Sequence, residues 1–356
     1  MDRKMKKIAI FQADLKVGGI QRSLINLLSS HILDDYQVDV YLFSTEIFYE
    51  INELKENIHI YFLKPFPYWF RFIPFTWIMH MSFYKEIKDS YDYVFDYDSY
   101  RQECAYCATR IKQAKKFLWI HNDIEKELQY KKKYCVLYAF FKGKYQFYDE
   151  FVAVSDGVVE PFRKYSGNTS AKVTVIPNII NAEETIKKSQ EHTEVIVDSD
   201  KCNVVCVGKI CTQKGYDLLL QDIYTAYKKR KDICCYIIGD GPDLKRYKKW
   251  VIKHKLSHVI FFLGNQKNPF PIVKQMDAFC LESKFEGQGM VLWEAKCLGL
   301  QLIFPRRLEK YNINIKGVEN ISDALMNLKK TSNKTYDFLN EYYAYIEAQY
   351  RKLLKN

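Results

Sequence analysis

The chain has 356 residues and a formal charge of +11, with 48% apolar and 27% charged residues. This composition excludes a disordered protein, and the length suits two domains or one large one. No apolar run approaches the roughly 20 residues that a membrane-spanning helix needs. The positive charge suits a phosphorylated substrate, nucleic acid or an anionic membrane face, or it serves solubility alone.

The first half of the chain predicts seven strands separated mostly by helical stretches. A double glycine, Gly18-Gly19, follows the first strand and precedes an amphipathic helix, which is a geometry that can cradle phosphate although the Rossmann G-x-G-x-x-G is absent. Strands that alternate with helices predict a doubly wound parallel sheet. The predicted strands are Lys7–Gln12, Val38–Phe43, Ile58–Phe62, Tyr93–Phe95, Phe117–Ile120, Phe151–Val154 and Val173–Ile176.

A polar stretch at 181–200 is expected to join two domains, because the strand pattern restarts beyond it. Two such halves leave a cleft between their strand ends, where ligands bind in these sheets. We therefore expect α/β domains at 1–180 and 181–335, with a helix at 336–356 that packs back on the first domain. The five predicted strands of the second half are Asn203–Val207, Cys234–Ile238, Val259–Leu263, Ala278–Leu281 and Leu302–Phe304.

The ten cysteines are scattered through apolar stretches, and Cys104 and Cys107 form a C-x-x-C pair in a predicted helix. No second pair follows at the distance of a zinc ribbon. We expect ten reduced and mostly buried thiols in a cytoplasmic protein. The charged N-terminus leads directly into a predicted strand, which argues against a signal peptide.

A glycine-rich turn with Glu286 at its start precedes a predicted helix that carries Glu294. A strand, a glycine turn and a helix aim backbone N–H groups and the positive end of a helix dipole at an anion. The two carboxylates stand eight residues apart, so both can accept hydroxyl hydrogen bonds on one face. A surface helix that happens to carry two glutamates is the alternative.

Lys209 and Lys214 flank a turn that follows a predicted strand. Two ammonium groups and a helix N-terminus would neutralise a diphosphate without a metal ion, although an ordinary basic loop has the same composition. His121 also follows a strand, where histidine is more often a capping or core residue than a catalyst.

Together these motifs resemble the retaining, metal-independent glycosyltransferases of family 4, which have the GT-B architecture of two Rossmann-like domains facing across a cleft. The resemblance is greatest to bacterial capsule and exopolysaccharide members. Glu286 and Glu294 are similar to the family's E-x7-E element, and Lys209 and Lys214 to the basic pair of its V-G-R/K-x-x-x-x-K-G loop. Further resemblances are Gly18-Gly19 with Arg22, Trp119-Ile120-His121, Ser155–Val158, Val175–Asn178 and Gly239–Pro242.

The resemblance implies a hexosyltransferase that moves a sugar from a UDP- or GDP-linked donor to a lipid-linked glycan, with no cofactor and no nucleic-acid partner. The first domain would bind the acceptor and the second the donor. Catalytic roles would fall to His121, Lys209, Lys214 and Glu286. Donor contacts would come from Gly18, Gly19, Gly241, Gly287, Gln288, Gly289, Met290 and Glu294.

The sequence departs from the family at three places, which leave the sugar and the base unassigned. Gly287-Gln288-Gly289 replaces the common Phe or Pro of the glutamate turn, and Lys209 replaces Arg and loses its bidentate fork. The stretch 304–310 lacks the usual small-residue loop. A GT-B scaffold that binds a nucleotide sugar without turnover is the alternative, as is another GT-B enzyme such as an epimerase or phosphorylase. A nucleic-acid binder is disfavoured, because the basic residues are spread along the chain.

Two other patterns have competing interpretations. Residues 63–77 interleave aromatics, prolines and cations, which suits either peripheral contact with the inner face of the cell membrane or a buried loop. Asp96-Tyr97-Asp98 and Asp198-Ser199-Asp200 have the D-x-D spacing of metal-dependent transferases. Such pairs are common by chance, and we predict no metal site.

Overall fold

The computed structural model describes residues 5–49, 51, 54–82, 87, 90–330 and 338–355. The chain forms two compact units, Met1–Ile179 with Tyr342–Asn356 and Ile180–Glu341. Each unit contains one parallel sheet, of seven strands in the first and five in the second. Among the described residues, no helix combines the length and the apolar character needed to span a bilayer.

The sheet of the first unit has the strand order β3-β2-β1-β4-β5-β6-β7, and all its pairs are parallel. The order reverses beside β1, so the sheet has a topological switch point between β1 and β4. Its strands are β1 Lys6–Gln12, β2 Tyr36–Leu42, β3 Ile58–Phe62, β4 Tyr93–Asp96, β5 Lys115–Ile120, β6 Glu150–Ala153 and β7 Val173–Val175.

Helices cover this sheet, and aromatic rings fill much of its core. Trp119 of β5 lies 4.6 Å from the ring of Phe95 and 5.2 Å from the ring of Tyr97, measured between ring centroids. The continuous apolar strands are typical of a parallel sheet buried on both faces. The α-helices are α1 Gly19–Ser29, α2 Phe75–Ile78, α3 Gln102–Arg110, α4 Ile124–Tyr130, α5 Lys132–Phe141 and α6 Val159–Ser166, with a 3-10 segment at Tyr68–Phe72.

The last helix of the chain belongs to the first unit from Tyr342 onward. Its contacts include a hydrogen bond from the Tyr342 hydroxyl to the Asn178 carbonyl, at 2.6 Å, and stacking of Tyr350 on Trp119. Buried residues recur along it at 342, 346, 350 and 353, so one face of the helix packs inward. This helix, Phe338–Lys355, is labelled α13 in the numbering of the described helices.

The sheet of the second unit has the order β10-β9-β8-β11-β12 and is also parallel throughout. Its switch point lies between β8 and β11. The strands are β8 Cys202–Val207, β9 Ile233–Ile238, β10 Ile260–Gly264, β11 Ala278–Cys280 and β12 Gln301–Ile303. The helices are α7 Ala182–Lys188, α8 Tyr216–Lys229, α9 Leu244–Lys253, α10 Phe270–Val273, α11 Met290–Cys297 and α12 Ile321–Met326.

The prediction of two doubly wound parallel sheets is confirmed, with seven and five strands at the predicted places. The strand ends differ by one or two residues where a strand runs into its loop. All ten cysteines are free, and eight of them are buried. Cys104 and Cys107 lie in α3, as predicted.

Candidate functional site

Two loops meet at the switch point of the second sheet. One follows β8 and spans residues 208–215, and the other follows β11 and spans residues 281–289. β8 and β11 are neighbours in the sheet, so both loops leave from the same carboxyl edge. In open parallel sheets this edge is the usual place for a ligand.

Lys214 and Glu286 form an ion pair that joins the two loops. The Lys214 Nζ lies 2.6 Å from Glu286 Oε1, and the carboxylate side chain is only 7% exposed. Burial disfavours the charged form of Lys214, but the Glu286 carboxylate outweighs this effect and raises the pKa of the ammonium group. The structure thus holds a fixed positive charge and a carboxylate side by side at the switch point.

Close backbone contact between the loops keeps this pair in place. Gly215 adopts a left-handed conformation with φ of 63°, and a Cβ atom there would lie 2.0 Å from the carbonyl oxygen of Glu282. The backbone N–H of Lys284 donates to the carbonyl of Gln213 at 2.8 Å. Because the two backbones touch at Gly215, only glycine fits at this position without a shift.

The turn after β9 supports the first loop from the other side. A Cβ atom at Gly239, where φ is 138°, would lie 2.1 Å from the Gly208 carbonyl oxygen, and one at Gly241 would lie 2.2 Å from the Ile210 carbonyl oxygen. The Ile210 N–H also donates to the carbonyl of Asp240 at 2.9 Å. We predicted that Gly241 contacts the nucleotide-sugar donor. The structure shows that close packing against Ile210 also requires glycine at this position.

The glycine-rich turn before α11 is anchored by a residue that the sequence did not identify. The N–H of Gly289 donates to the Asn312 side-chain oxygen at 3.1 Å, and Asn312 donates in turn to the Leu308 carbonyl at 3.0 Å. We predicted that Gly289 contacts the nucleotide-sugar donor, but its backbone N–H already forms a hydrogen bond within the protein. Asn312 lies 23 residues further on, and no local pattern marks it.

The remaining predicted residues of this turn lie at or near the start of α11. Gln288 and Met290 are buried, and Glu294 is partly buried one turn further along the helix. The first turn of this fully described helix carries no acidic side chain, so no carboxylate there offsets the helix dipole. Lys209 is exposed at the start of the other loop. Within the described part of the chain it makes no ion pair.

Two further ion pairs brace the same loops. Arg307 donates to the Glu282 carboxylate at 2.7 Å and to the carbonyl of Ser283 at 3.2 Å. Lys284 lies 3.2 Å from the Asp217 carboxylate in the first turn of α8. Glu282 lies two residues beyond β11 and directly follows the predicted strand Ala278–Leu281, and this position is the signal that could have identified it.

In the first unit, His121 follows β5 and is 7% exposed. Its Nε2 lies 2.8 Å from the carbonyl oxygen of Tyr97. Burial lowers the pKa of His121 to about 4, so the ring is neutral near pH 7. Because a carbonyl can only accept, Nε2 carries the proton and Nδ1 presents a lone pair.

Tyr97 connects His121 to the double-glycine turn. Its hydroxyl lies 3.1 Å from the Ser23 hydroxyl of α1, the helix that begins at Gly19. A Cβ atom at Gly19 would meet nothing within 4 Å, and one at Gly18 would meet the flexible side chain of Gln21. The structure therefore links His121 through Tyr97 to Ser23 of α1, the helix that begins at the double glycine. It places the lysines and glutamates in the second unit.

The two D-x-D pairs have different surroundings. Asp96 is fully buried and accepts a hydrogen bond from Tyr148, and burial raises its pKa to about 7. Burial likewise raises the pKa of Asp98 to about 6. Asp198 and Asp200 lie in an exposed turn before β8. Across the described ranges, no group of three or more His, Cys, Asp or Glu side chains is arranged to hold a metal ion.

Two family models match consecutive parts of the chain. Residues 17–184 match the model described as Glycosyltransferase Family 4, and residues 187–307 match the model described as Glycosyl transferases group 1. The chain is thus similar to glycosyltransferases over both of these parts. The predicted resemblance is confirmed at this level.

Similar proteins include two glycosyltransferases and a solved structure. The uncharacterized glycosyltransferase MJ1059 of Methanocaldococcus jannaschii is 26% identical over 52% of this chain and 47% of its own length. The O-antigen biosynthesis glycosyltransferase WclY of Escherichia coli is 24% identical over 65% of this chain and 64% of its own length. Both alignments thus span less than two thirds of the relative.

The solved structure is Anabaena Alr3699/HepE in complex with UDP and glucose. It is 14% identical, covers 98% of this chain and 94% of its own, and superimposes with a TM-score of 0.63. At this identity the likeness shows the fold alone. The predicted GT-B class, with two Rossmann-like domains, is confirmed.

Proposed function

We propose that this protein is a retaining, metal-independent hexosyltransferase that uses a nucleotide diphosphate sugar. The acceptor is a lipid-linked glycan of a capsule, exopolysaccharide or other surface polysaccharide, reached at the cytoplasmic face of the membrane. The observation that carries the proposal is the ion pair between Lys214 and the buried Glu286 at the switch point of the second sheet. That sheet lies in the domain matching group 1 glycosyl transferases. A diphosphate and a sugar need such a fixed cation and carboxylate side by side.

Each member of the pair has capacity for a ligand. An ammonium group has three N–H donors and a carboxylate about four acceptor sites, and their mutual hydrogen bond uses one of each. Lys214 can therefore donate to a diphosphate oxygen while Glu286 accepts from sugar hydroxyls. Lys209, exposed on the same loop, adds a second positive charge, and Glu294 of α11 would hold the ribose hydroxyls.

In the proposed reaction, the bond between the anomeric carbon and the diphosphate oxygen breaks, and its electron pair leaves with the diphosphate. The acceptor hydroxyl oxygen bonds to the same face of that carbon, and its proton passes to the departing diphosphate. Lys214 stabilises the negative charge that develops, and the positive end of the α11 dipole adds to it. In the first domain, the Nδ1 lone pair of neutral His121 would accept from a substrate hydroxyl.

UDP is the first nucleotide to test, because the Anabaena structure contains UDP and glucose, and GDP is the second. The name of the Escherichia coli relative supports a surface polysaccharide as the acceptor class. Calorimetry with UDP- and GDP-linked hexoses would identify the donor, and mass spectrometry with lipid-linked acceptors would identify the product. Proton NMR of the product would give its anomeric configuration.

We expect micromolar donor binding, turnover that survives a chelator, and retention of configuration. An inverted product or loss of turnover with the chelator would contradict the mechanism. Donor binding without turnover against any acceptor would favour a scaffold that binds a nucleotide sugar.

A further inference from the structure

The first domain presents an aromatic face to solvent, built from the 3-10 segment Tyr68–Phe72, the short helix α2 and the outer side of α5. Tyr68 is 61% exposed, Trp77 68% and Val136 56%. Large apolar side chains occur singly on most protein surfaces, but a group of them marks an interaction site.

Neighbouring positions on the same elements point inward, which fixes the orientation of the exposed ones. Phe70 of the 3-10 segment, Phe75 of α2 and Phe141 of α5 are all buried. Phe72 and Phe140 touch across the two elements, with ring centroids 6.1 Å apart. The 3-10 segment and α5 therefore form one continuous surface.

α5 has apolar residues on both of its sides. Tyr138 and Phe141 pack inward, whereas Val136 and Ala139 are exposed on the outer side. A surface helix of a globular protein is normally polar on its outer side, and a helix that is apolar all round is normally covered. Beyond its first turn, which carries two lysines, the outer side of α5 is thus apolar, as expected of a surface that is covered.

The charged side chains on the elements that form this face all have one sign. Exposed Lys132, Lys133 and Lys142 lie at the two ends of α5, and the Arg71 guanidinium carbon is 4.2 Å from the Tyr68 ring centroid. The 3-10 segment, α2 and α5, all within the described chain, contain no Asp or Glu. Tyr and Trp beside Lys and Arg are typical of the boundary between lipid headgroups and acyl chains. This composition complements an anionic bilayer in both charge and polarity.

We propose that the aromatic face docks the protein on an anionic lipid bilayer, with the rings in the headgroup layer and the lysines against acidic headgroups. The proposal gives the predicted membrane contact a defined surface. It rests on the proposed function only in that a lipid-linked acceptor would be reached from this surface. Vesicle binding needs no donor, so it can be measured independently of glycosyl transfer.

The test is sedimentation of the full-length protein with vesicles of phosphatidylcholine and phosphatidylglycerol at 7:3, and with vesicles of phosphatidylcholine alone. One variant combines W77S and V136S, and a second combines K132Q and K133Q. The matched controls replace exposed residues of the same two kinds in the second domain. They are I252S with L218S, and K248Q with K249Q on α9. Circular dichroism and donor calorimetry on each variant show that it remains folded.

We expect binding to the anionic vesicles that exceeds binding to the neutral ones by at least tenfold. Each lysine near an anionic surface contributes about 1 kcal/mol, or roughly fivefold, so K132Q/K133Q should weaken binding by more than tenfold. W77S/V136S should weaken it similarly, and neither control should change it by more than twofold.

Three results would overturn the proposal. The first is absence of vesicle binding, and the second is an equal loss of vesicle binding in the control variants. The third is a concentration-dependent dimer that dissociates in W77S/V136S. The dimer would assign the face to a second copy of the chain. Failure of donor binding with intact vesicle binding would contradict the proposed function alone.

Discussion

The carboxyl edges of the two sheets are built in different ways. In the second domain, the loops touch through their backbones at Gly215, Gly239 and Gly241, and an ion pair closes the contact. In the first domain, the double glycine has open space or a flexible side chain beside it, and hydrogen bonds through Tyr97 connect the elements. Backbone contacts fix charges rigidly, whereas side-chain contacts leave the loops freer to adjust. The second edge therefore suits one invariant group, such as a diphosphate.

The sharpest test of this difference compares Gly239→Ala with Gly19→Ala. At Gly239 the new methyl group would overlap the Gly208 carbonyl oxygen and would require a left-handed backbone. We expect a loss of about 3–5 kcal/mol of unfolding free energy, because strain and overpacking add. Gly19→Ala should change stability by less than about 0.5 kcal/mol, since nothing lies near its Cβ position. Urea unfolding measures both, and equal losses would remove the distinction between the edges.

Lys214→Ala tests whether the fixed charge of the second edge serves catalysis. Turnover per folded molecule should fall about 100- to 1,000-fold, or roughly 3–4 kcal/mol, as for loss of a preorganised donor at a developing anion. Lys209→Ala should cost about tenfold, because this side chain is exposed and screened. Lys248→Ala, which removes an exposed lysine of α9, is the control. Unchanged turnover in Lys214→Ala, measured with the identified donor, would refute the assignment.

His121→Gln tests the neutral imidazole of the first edge. Burial keeps the pKa of His121 in the folded protein at about 4, below the ordinary 6.5. Between these two pH values the histidine is protonated in the unfolded chain and neutral in the folded one. Stability should therefore fall as the pH drops from 6.5 to 4, by roughly 3 kcal/mol from this group. In the variant, the unfolding free energy should no longer show this part of its dependence on pH, as measured by urea unfolding at a series of pH values. The same substitution at exposed His192 should retain it.

The smallest expected effect is that of Tyr97→Phe, which removes one hydrogen bond of the first edge. Ser23 keeps its bond to the Ile20 carbonyl at 2.7 Å, and the Tyr97 carbonyl still accepts from His121. We expect a loss of about 1 kcal/mol, the net value of one hydrogen bond. A loss above about 3 kcal/mol would show that the first edge is as rigid as the second.

The fold could be predicted because its signals are local. Apolar runs such as Lys7–Gln12 and Cys234–Ile238 give strands directly, and glycines at strand ends mark the loops. The ion pair between Lys214 and Glu286 could be approached only through motif resemblance, since 72 residues separate its members. Asn312 and Arg307 could not be found, because their roles depend on the chain after β12 folding back onto the loop at 281–289.

The sequence also could not predict which side chains of residues 63–77 are exposed. Two interpretations of residues 63–77 were available, a buried loop or a membrane face, and the structure has both buried and exposed aromatic side chains in this stretch. Phe70 and Phe75 are buried, while Tyr68 and Trp77 are exposed. Alternation of this kind depends on the path of an irregular segment, which has no fixed period to reveal it.

The return of the last helix to the first unit has a consequence for the order of folding during synthesis. The second unit is one uninterrupted segment, Ile180–Glu341, and all its strands are available once that segment leaves the ribosome. The first unit is made of two pieces, and Tyr342 and Tyr350 complete its packing. The sheet of the first unit is translated first, but the packing of this unit is complete only after residues near 350 have been made. The first unit therefore starts to form before the second unit and is completed after it.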